Sequence, residues 1–179
     1  MKFKRLKIKT ATNILILALF GIFILFKSLY KPKVNIDKPS SSDISYKVTA
    51  VADGDTLNVK TKNGKERVRL IGIDAPETKK QDKKAECYAN KSYEFLKNLT
   101  LHKQVILKKD PFGEDKDIYD RLLRYVFLAD GTNLNAEIIK QGFAPLYYKN
   151  NTHAYASDFK AYEKQAKKNK IGLWGKCDN

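Results

Sequence analysis

Cysteine is nearly absent from this chain. Cys87 and Cys177 stand alone among 179 residues, too few for a disulfide scaffold and wrongly spaced for a zinc site. Acids are also outnumbered: 20 Asp and Glu face 35 Lys and Arg, a formal charge of +15. Residues 44–179 stay net basic on their own. That balance points to a polyanionic partner, nucleic acid first, beside the plainer reading of a lysine-rich, solvated surface. No internal repeat is visible. Between Ala11 and Phe26 charge is missing altogether, while Lys2, Lys4, Arg5, Lys7 and Lys9 crowd the residues before it.

A basic start followed by an apolar block is the layout of a signal peptide or an uncleaved anchor. With Ser28, Leu29 and Tyr30 added, the block reaches the roughly 20 residues a bilayer span needs, and Lys27 can snorkel. No small-x-small cleavage site follows Phe26, which puts the anchor ahead of the cleaved signal. The cations orient the N-terminus to the cytoplasm and the rest outside. The expectation is an exported protein, held at the membrane through residues 11–30 or secreted after cleavage. "KPKVNIDKPSSSD" then reads as a linker. The chain divides into a signal-anchor or signal peptide (1–30), a linker (31–44) and a folded domain (45–179), with size for one core.

In that domain, alternation through Tyr46, Val48 and Ala50, then Leu57 and Val59, then Val68 and Leu70, predicts three antiparallel strands, the last running through Ile73. Asn63-Gly64 signals a hairpin. Lys83–Leu99 reads as a helix with Ala85, Tyr88, Ala89, Phe95, Leu96 and Leu99 inward. "QVILKKD" and "LLRYVFLADG" are two further strands. A short helix follows, capped by Asn133 and stopped by Gly142. Thr152 is placed as the cap of a last helix to about Lys168, with Tyr155, Phe159, Tyr162 and Ala166 on one stripe, and Trp174 packs back on the core. The fold class is α+β, mainly β: a five-stranded OB-type barrel with about three helices, preceded by an N-terminal apolar helix. Such barrels bind oligonucleotides and oligosaccharides on one face.

Three clusters carry potential chemistry. Asp53-Gly54-Asp55-Thr56 lies between two strands. Arg69 sits on a strand whose exit holds Asp74, Ala75, Pro76 and Glu77. Arg121 ends the charged loop "PFGEDKDIYDR". Each has a bland reading as a turn, a solvated loop or a surface cation. Together they supply what phosphodiester hydrolysis requires. Carboxylates and carbonyls suit a hard divalent cation. Two planar guanidinium forks suit phosphate oxygens. One acid can deprotonate water, and a proline limits where it points.

At these residues the chain resembles the staphylococcal (thermonuclease-like) nuclease family, over essentially all of residues 45–176. The resemblance is carried by "DGDT" at 53–56, "VRLIGIDAPET" at 68–78, "DIYDRLLRYVF" at 117–127, "LNAEIIKQGFA" at 134–144, "YYKNNTH" at 147–153 and "QAKKNKIGLW" at 165–174. It implies an OB-fold, Ca²⁺-dependent endonuclease acting on DNA and RNA with little sequence preference and leaving 3′-phosphates, working as a monomer. By position, the resemblance makes Asp55, Asp74 and the backbone carbonyl of Ala75 the calcium ligands, with Asp53 nearby. It makes Glu77 the general base, Arg69 and Arg121 the phosphate-binding arginines, and Tyr119, Tyr147 and Tyr148 nucleotide contacts. The 147–153 loop is about one residue shorter than the family's, which leaves open which of the last two tyrosines does what.

Three positions depart from the family's best-known member: Ala75 replaces a threonine, Asp120 a glycine and Ile118 a lysine. Asp120 is expected to pair with Arg121 or repel substrate phosphate, slowing the enzyme, and Ile118 to weaken nucleotide affinity. Export leaves open a Cys87–Cys177 disulfide, which requires Cα atoms within about 7 Å. Lys149, Lys164, Lys167 and Lys168 are further candidate phosphate contacts. The rival readings are a non-catalytic nucleic-acid-binding OB module and an adhesive surface domain.

Overall fold

The computed structural model of the chain describes residues 39–40, 42–78, 84–147 and 152–177. The expectations for the N-terminal apolar helix, for most of the linker and for Tyr148 and Lys149 lie outside these residues.

Alternation builds the barrel. Strand β1 (Ser45–Asp53) turns at Gly54 into β2 (Thr56–Thr61), and a hairpin at Lys62-Asn63 leads to β3 (Gly64–Leu70). Val48, Leu57, Val59, Val68 and Leu70 point inward and are fully buried. Each contributes roughly 1.5–3 kcal/mol by leaving water. Register shifts at Val48/Ala50 and Val51/Asp53 bend β1, as extra residues in one strand do. The bent strand can then pair with β4 (Gln104–Lys108) as well. β4 pairs with β5 (Leu122–Phe127), and β5 runs parallel to β3, Arg69 beside Leu123. The sheet is thereby a closed barrel in the order β1-β2-β3-β5-β4, the mainly β architecture expected.

Among the described residues four helices surround it: α1 (Ala89–Thr100), α2 (Leu134–Lys140), α3 (Ala156–Lys168) and the single turn α4 (Leu173–Lys176). Asn133 caps α2 through its side chain, accepting from the Ala136 N–H, and Gly142 follows at φ +64°. Asn135, fully buried, accepts from the Val126 N–H and donates to the Ile71 carbonyl. One side chain thus satisfies β5 and fixes the chain leaving β3.

Several boundaries differ from expectation, each for a local reason. β3 stops at Leu70 rather than running through Ile73, because Gly72 takes φ +81° beneath His153 and Phe159. A side chain there would meet the His153 ring at 2.8 Å. Helix α1 begins at Ala89, not Lys83. Glu86 exchanges hydrogen bonds with Glu77, Cys87 is disulfide-bonded, and Tyr88 is left-handed at φ 70°. Ala85 is consequently exposed. Thr152 does not cap α3, which starts after Tyr155 without a side-chain cap. Trp174 is only half-buried, its ring under Lys167 Nζ at 4.4 Å, and Leu173 takes the buried position instead.

Candidate active site

The sharp β1–β2 turn brings two acids to the exit of β3. Asp55 is 5% exposed. Its carboxylate accepts from the Ala75 N–H at 2.7 Å and the Thr56 hydroxyl at 2.9 Å, and it lies 2.5 Å from Arg69 Nη1. Arg69 also donates to the Ile73 carbonyl from Nη1 and to Asp74 from Nη2, both at 2.9 Å. One guanidinium therefore gathers two carboxylates that would otherwise repel. Asp74 itself is exposed and is anchored through its N–H to the Pro145 carbonyl. Asp53 accepts from the Asp55 N–H. Burial pushes the Asp55 carboxyl up to about 7 and Asp53 adds to the rise, while Arg69 and the Ala75 N–H oppose it. Burial therefore outweighs even the Arg69 cation that stands beside this acid.

Ala75 is 9% exposed. A methyl added at Gly54 would stand 2.7 Å from the Ala75 and Ser92 β-carbons, so the two loops meet through small residues. The Ala75 carbonyl accepts no hydrogen bond among the described residues and remains an open oxygen donor. No group of three or more acids, histidines or cysteines among the described residues forms a ready-made metal cage. The oxygens that the resemblance assigns, two carboxylates and a carbonyl, are of the type that suits a hard cation keeping several waters.

Glu77 is exposed, but its backbone is fixed at both ends. Its N–H donates to the Glu86 carboxylate and its carbonyl accepts from the Glu86 N–H, each at 3.0 Å. Just beyond Glu86, the Cys87–Cys177 disulfide joins α1's start to the C-terminal turn, Cα atoms 5.9 Å apart.

Arg121, at the start of β5, is held differently. Its Nε donates to Asp117 at 2.7 Å, and the same carboxylate accepts the Arg121 and Tyr119 N–H groups at 3.0 Å. Burial raises Asp117, yet these donors win and hold it below the usual carboxylate range. Both Nη groups of Arg121 lack protein partners among the described residues. The Tyr119 ring lies 5.4 Å from the guanidinium carbon and is 70% exposed. Asp120 adopts φ +61° and pairs with Lys116 at 2.8 Å. The expected pairing of Asp120 with Arg121 gives way to Asp117. Ile118 is 91% exposed. Tyr147, at the exposure boundary, donates its N–H to the Gly72 carbonyl at the far side of the β3 exit.

The family model for staphylococcal nuclease homologues matches residues 67–176. The chain belongs to the staphylococcal nuclease family. It is 34% identical to a thermonuclease of Staphylococcus intermedius, over 93% of this chain and 98% of that one. A thermonuclease of Staphylococcus hyicus is 30% identical, over 94% and 98%. An uncharacterized endonuclease of Escherichia coli O157:H7 is 35% identical, over 76% and 81%.

Within this family member, Arg69 touches both Asp55 and Asp74, and Asp55 in turn holds the Ala75 N–H, with Asp53 and Glu77 two residues away along the chain. Arg121 and Tyr119 form a second group, joined to the first through the pairing of Arg69 with Leu123. Sequence reasoning missed three supports: Asp117 behind Arg121, Glu86 against Glu77, and the buried Asp110. The last accepts from the Tyr125 hydroxyl, which also bonds His153 Nδ1, and from the Ala154 N–H. Burial and then Asp110 push the Tyr125 hydroxyl far up, and burial lowers His153 against the pull of Asp110. A signal for Asp117 existed, since an acid four residues before an arginine in a tight loop is placed to accept from it. Glu86 depends on how the loop after β3 folds back over nine residues, and Asp110 on contacts with distant segments.

Proposed function

We propose that the chain is a calcium-dependent endonuclease that hydrolyses DNA and RNA phosphodiester bonds with little sequence preference and leaves 3′-phosphate ends. The observation that carries this reading is the meeting of Asp55 and Asp74 on Arg69 beside an open Ala75 carbonyl, with a second, under-occupied arginine in the loop just before the neighbouring strand. Calcium bound by Asp55, Asp74 and the Ala75 carbonyl would supply polarisation of the phosphoryl group. Arg69 and Arg121 stabilise charge on the phosphate oxygens. For Arg121 the two Nη groups are available as they stand; Arg69 exchanges its bond to Asp74 for one to phosphate. Glu77 takes a proton from the attacking water, the hydroxyl joins phosphorus, and the bond to the 5′ oxygen breaks as that oxygen takes up a proton from solvent. Tyr119, Tyr147 and Tyr148 flank the nucleotide.

The protein acts as a monomer outside the cytoplasm, anchored through residues 11–30 or secreted after their removal. The apolar N-terminal block supports export, and so does a disulfide that suits an oxidising compartment. N-terminal sequencing of membrane and soluble fractions decides between anchoring and cleavage, and an intact cytoplasmic protein would overturn both.

The activity is tested by incubating purified protein with plasmid or RNA, with calcium or a chelator. Calcium-dependent cutting that leaves 3′-phosphates and falls at least about 100-fold in Glu77→Gln is the expected result. Binding without cutting would identify a non-catalytic OB module, and neither would leave the adhesive reading.

A further inference from the structure

The outward face of the first three strands carries a second concentration of positive charge. In the sheet register Lys47 stands opposite Lys60, and Lys60 stands opposite Lys65. Residues directly opposite point to the same face with β-carbons about 4.5–5.5 Å apart. Three lysines therefore form a row across β1, β2 and β3. From Lys65 the alternation of β3 puts Arg67 and then Arg69 on this same outer side, in steps of roughly 6.6–6.8 Å, while Val68 and Leu70 point into the barrel. The row of lysines thus turns into a column that ends at the Arg69 guanidinium.

Lys47, Lys60, Lys65 and Arg67 are all exposed, and none has a salt-bridge partner among the described residues. Elsewhere the protein pairs cations closely, as in Arg124 with Asp115 and Lys108 with Asp43. No acid occurs in β2, and the one acid of β3, Glu66, alternates to the other side. Like charges placed directly opposite destabilise a sheet. Solvation alone would be served as well by lysines set apart or alternated with acids. An ordered row of unpaired cations leading to one catalytic arginine is suited to a continuous polyanion. The strand 2–3 face of OB barrels is also a surface on which extended ligands lie.

We propose that Lys47, Lys60, Lys65 and Arg67 form a track for the sugar–phosphate backbone of a polynucleotide, extending the site beyond the scissile bond at Arg69. This rests on the nuclease reading above. The track contacts phosphates and carries no base readout, so it favours long single strands over short ones irrespective of sequence.

The test compares the full chain with the quadruple variant Lys47→Gln/Lys60→Gln/Lys65→Gln/Arg67→Gln. A control variant, Lys91→Gln/Lys160→Gln/Lys170→Gln/Lys176→Gln, removes the same charge from other exposed positions. Binding of a labelled single-stranded oligonucleotide and of a dinucleotide is measured by anisotropy in chelator across a salt series. Cleavage of both is measured in calcium. The track variant is expected to bind the long strand at least about tenfold more weakly. Its salt slope is expected to flatten by about 0.7 for each phosphate it no longer neutralises. Its cleavage of the dinucleotide stays at the wild-type rate, and its melting temperature is equal or higher because like-charge pairs are gone. An equal loss in the control variant would reduce the effect to net charge and overturn the proposal, as would unchanged long-strand affinity. Loss of binding to phosphatidylserine vesicles with DNA affinity intact would assign the face to a membrane surface and also overturn it. A wild-type protein that binds long strands in a track-dependent way but cuts neither substrate would refute the nuclease reading and leave the track standing.

Discussion

Arg69 and Arg121 present the same planar fork of donors, yet the molecule holds them in contrasting ways. Arg69 is 13% exposed and is fixed from Asp55, Ile73 and Asp74, residues contributed by two separate loops. Asp55 is itself held by Ala75 and Thr56. Arg121 is 22% exposed and depends on one carboxylate four residues away, within its own loop. The Arg69 side of the site is therefore part of the folded core, whereas the Arg121 side is a local loop structure. The first is rigid at a cost in desolvation, and the second keeps two donors open at little cost in stability.

The largest effects should separate these two roles. Arg69→Ala and Arg121→Ala are each expected to lower kcat about 10³-fold, as loss of a transition-state arginine does. Stability should divide them. Arg69→Ala strands a buried carboxylate and is expected to cost about 3–5 kcal/mol at pH 8. Arg121→Ala breaks a partly solvated local pair and is expected to cost at most about 1 kcal/mol. Urea unfolding alongside kinetics checks this; equal stability losses would erase the contrast.

The disulfide belongs to the rigid side, since Cys87 follows the Glu86 that clamps Glu77. Reduction, or Cys87→Ser/Cys177→Ser, opens a loop spanning 90 positions and is expected to cost about 2–5 kcal/mol. If the clamp positions Glu77, kcat drops severalfold while KM for nucleotide, set on the Arg121 side, stays level. A change confined to KM would place the disulfide's influence on the other side.

What the sequence makes legible follows the same division. Alternating apolar residues and Asn63-Gly64 are local signals, and they suffice for the five strands and the hairpin. Asp55, Arg69 and Asp74 stand out as residue types, but nothing local reveals that Asp55 is buried or that one guanidinium bridges both acids. That bridge exists only once the β1–β2 turn is packed against the β3 exit. The misplaced ends of α1 and α3 have the same origin. Cys87 and His153 are committed to partners far away in the chain and Glu86 to the preceding loop at Glu77, and those contacts override helical propensity. Asp120 misleads because its neighbour Arg121 is close in sequence, whereas its left-handed backbone turns the carboxylate toward Lys116.

Calcium offers a weaker lever on the rigid side. The folded value of Asp55, about 7, lies above its unfolded value of 3.8. The metal-free native state therefore binds more protons between these limits. This group adds stability as the pH falls from above 7, and its contribution is complete below 3.8. On the proposed calcium reading, the metal competes with that proton. At pH 8, calcium at about a hundred times its dissociation constant should stabilise the domain by about 2.7 kcal/mol. Below pH 7 its affinity should fall by about tenfold per unit as Asp55 protonates. Thermal melting with and without calcium measures this; a shift as large at pH 5 as at pH 8 would show that Asp55 is not a ligand.

The smallest expected effect lies on the open side, at Asp120. Its φ of +61° costs a non-glycine residue about 1 kcal/mol, and its bond to Lys116, with an Asp side chain 83% exposed, returns at most about that much. Asp120→Gly should therefore change stability by no more than about 1 kcal/mol, with a gain as the direction expected. Because Asp117 rather than Asp120 holds Arg121, kcat should move less than about twofold. Asp117→Asn is the sharper partner experiment. It keeps one oxygen for the backbone N–H groups of Tyr119 and Arg121 but turns an NH2 toward Arg121 Nε and removes the charge, and should raise KM severalfold by letting the guanidinium drift from the phosphate. If Asp120→Gly instead speeds the enzyme more than Asp117→Asn slows it, the carboxylate at 120 acts on the substrate phosphate directly. The open side would then be tuned by repulsion rather than by tethering.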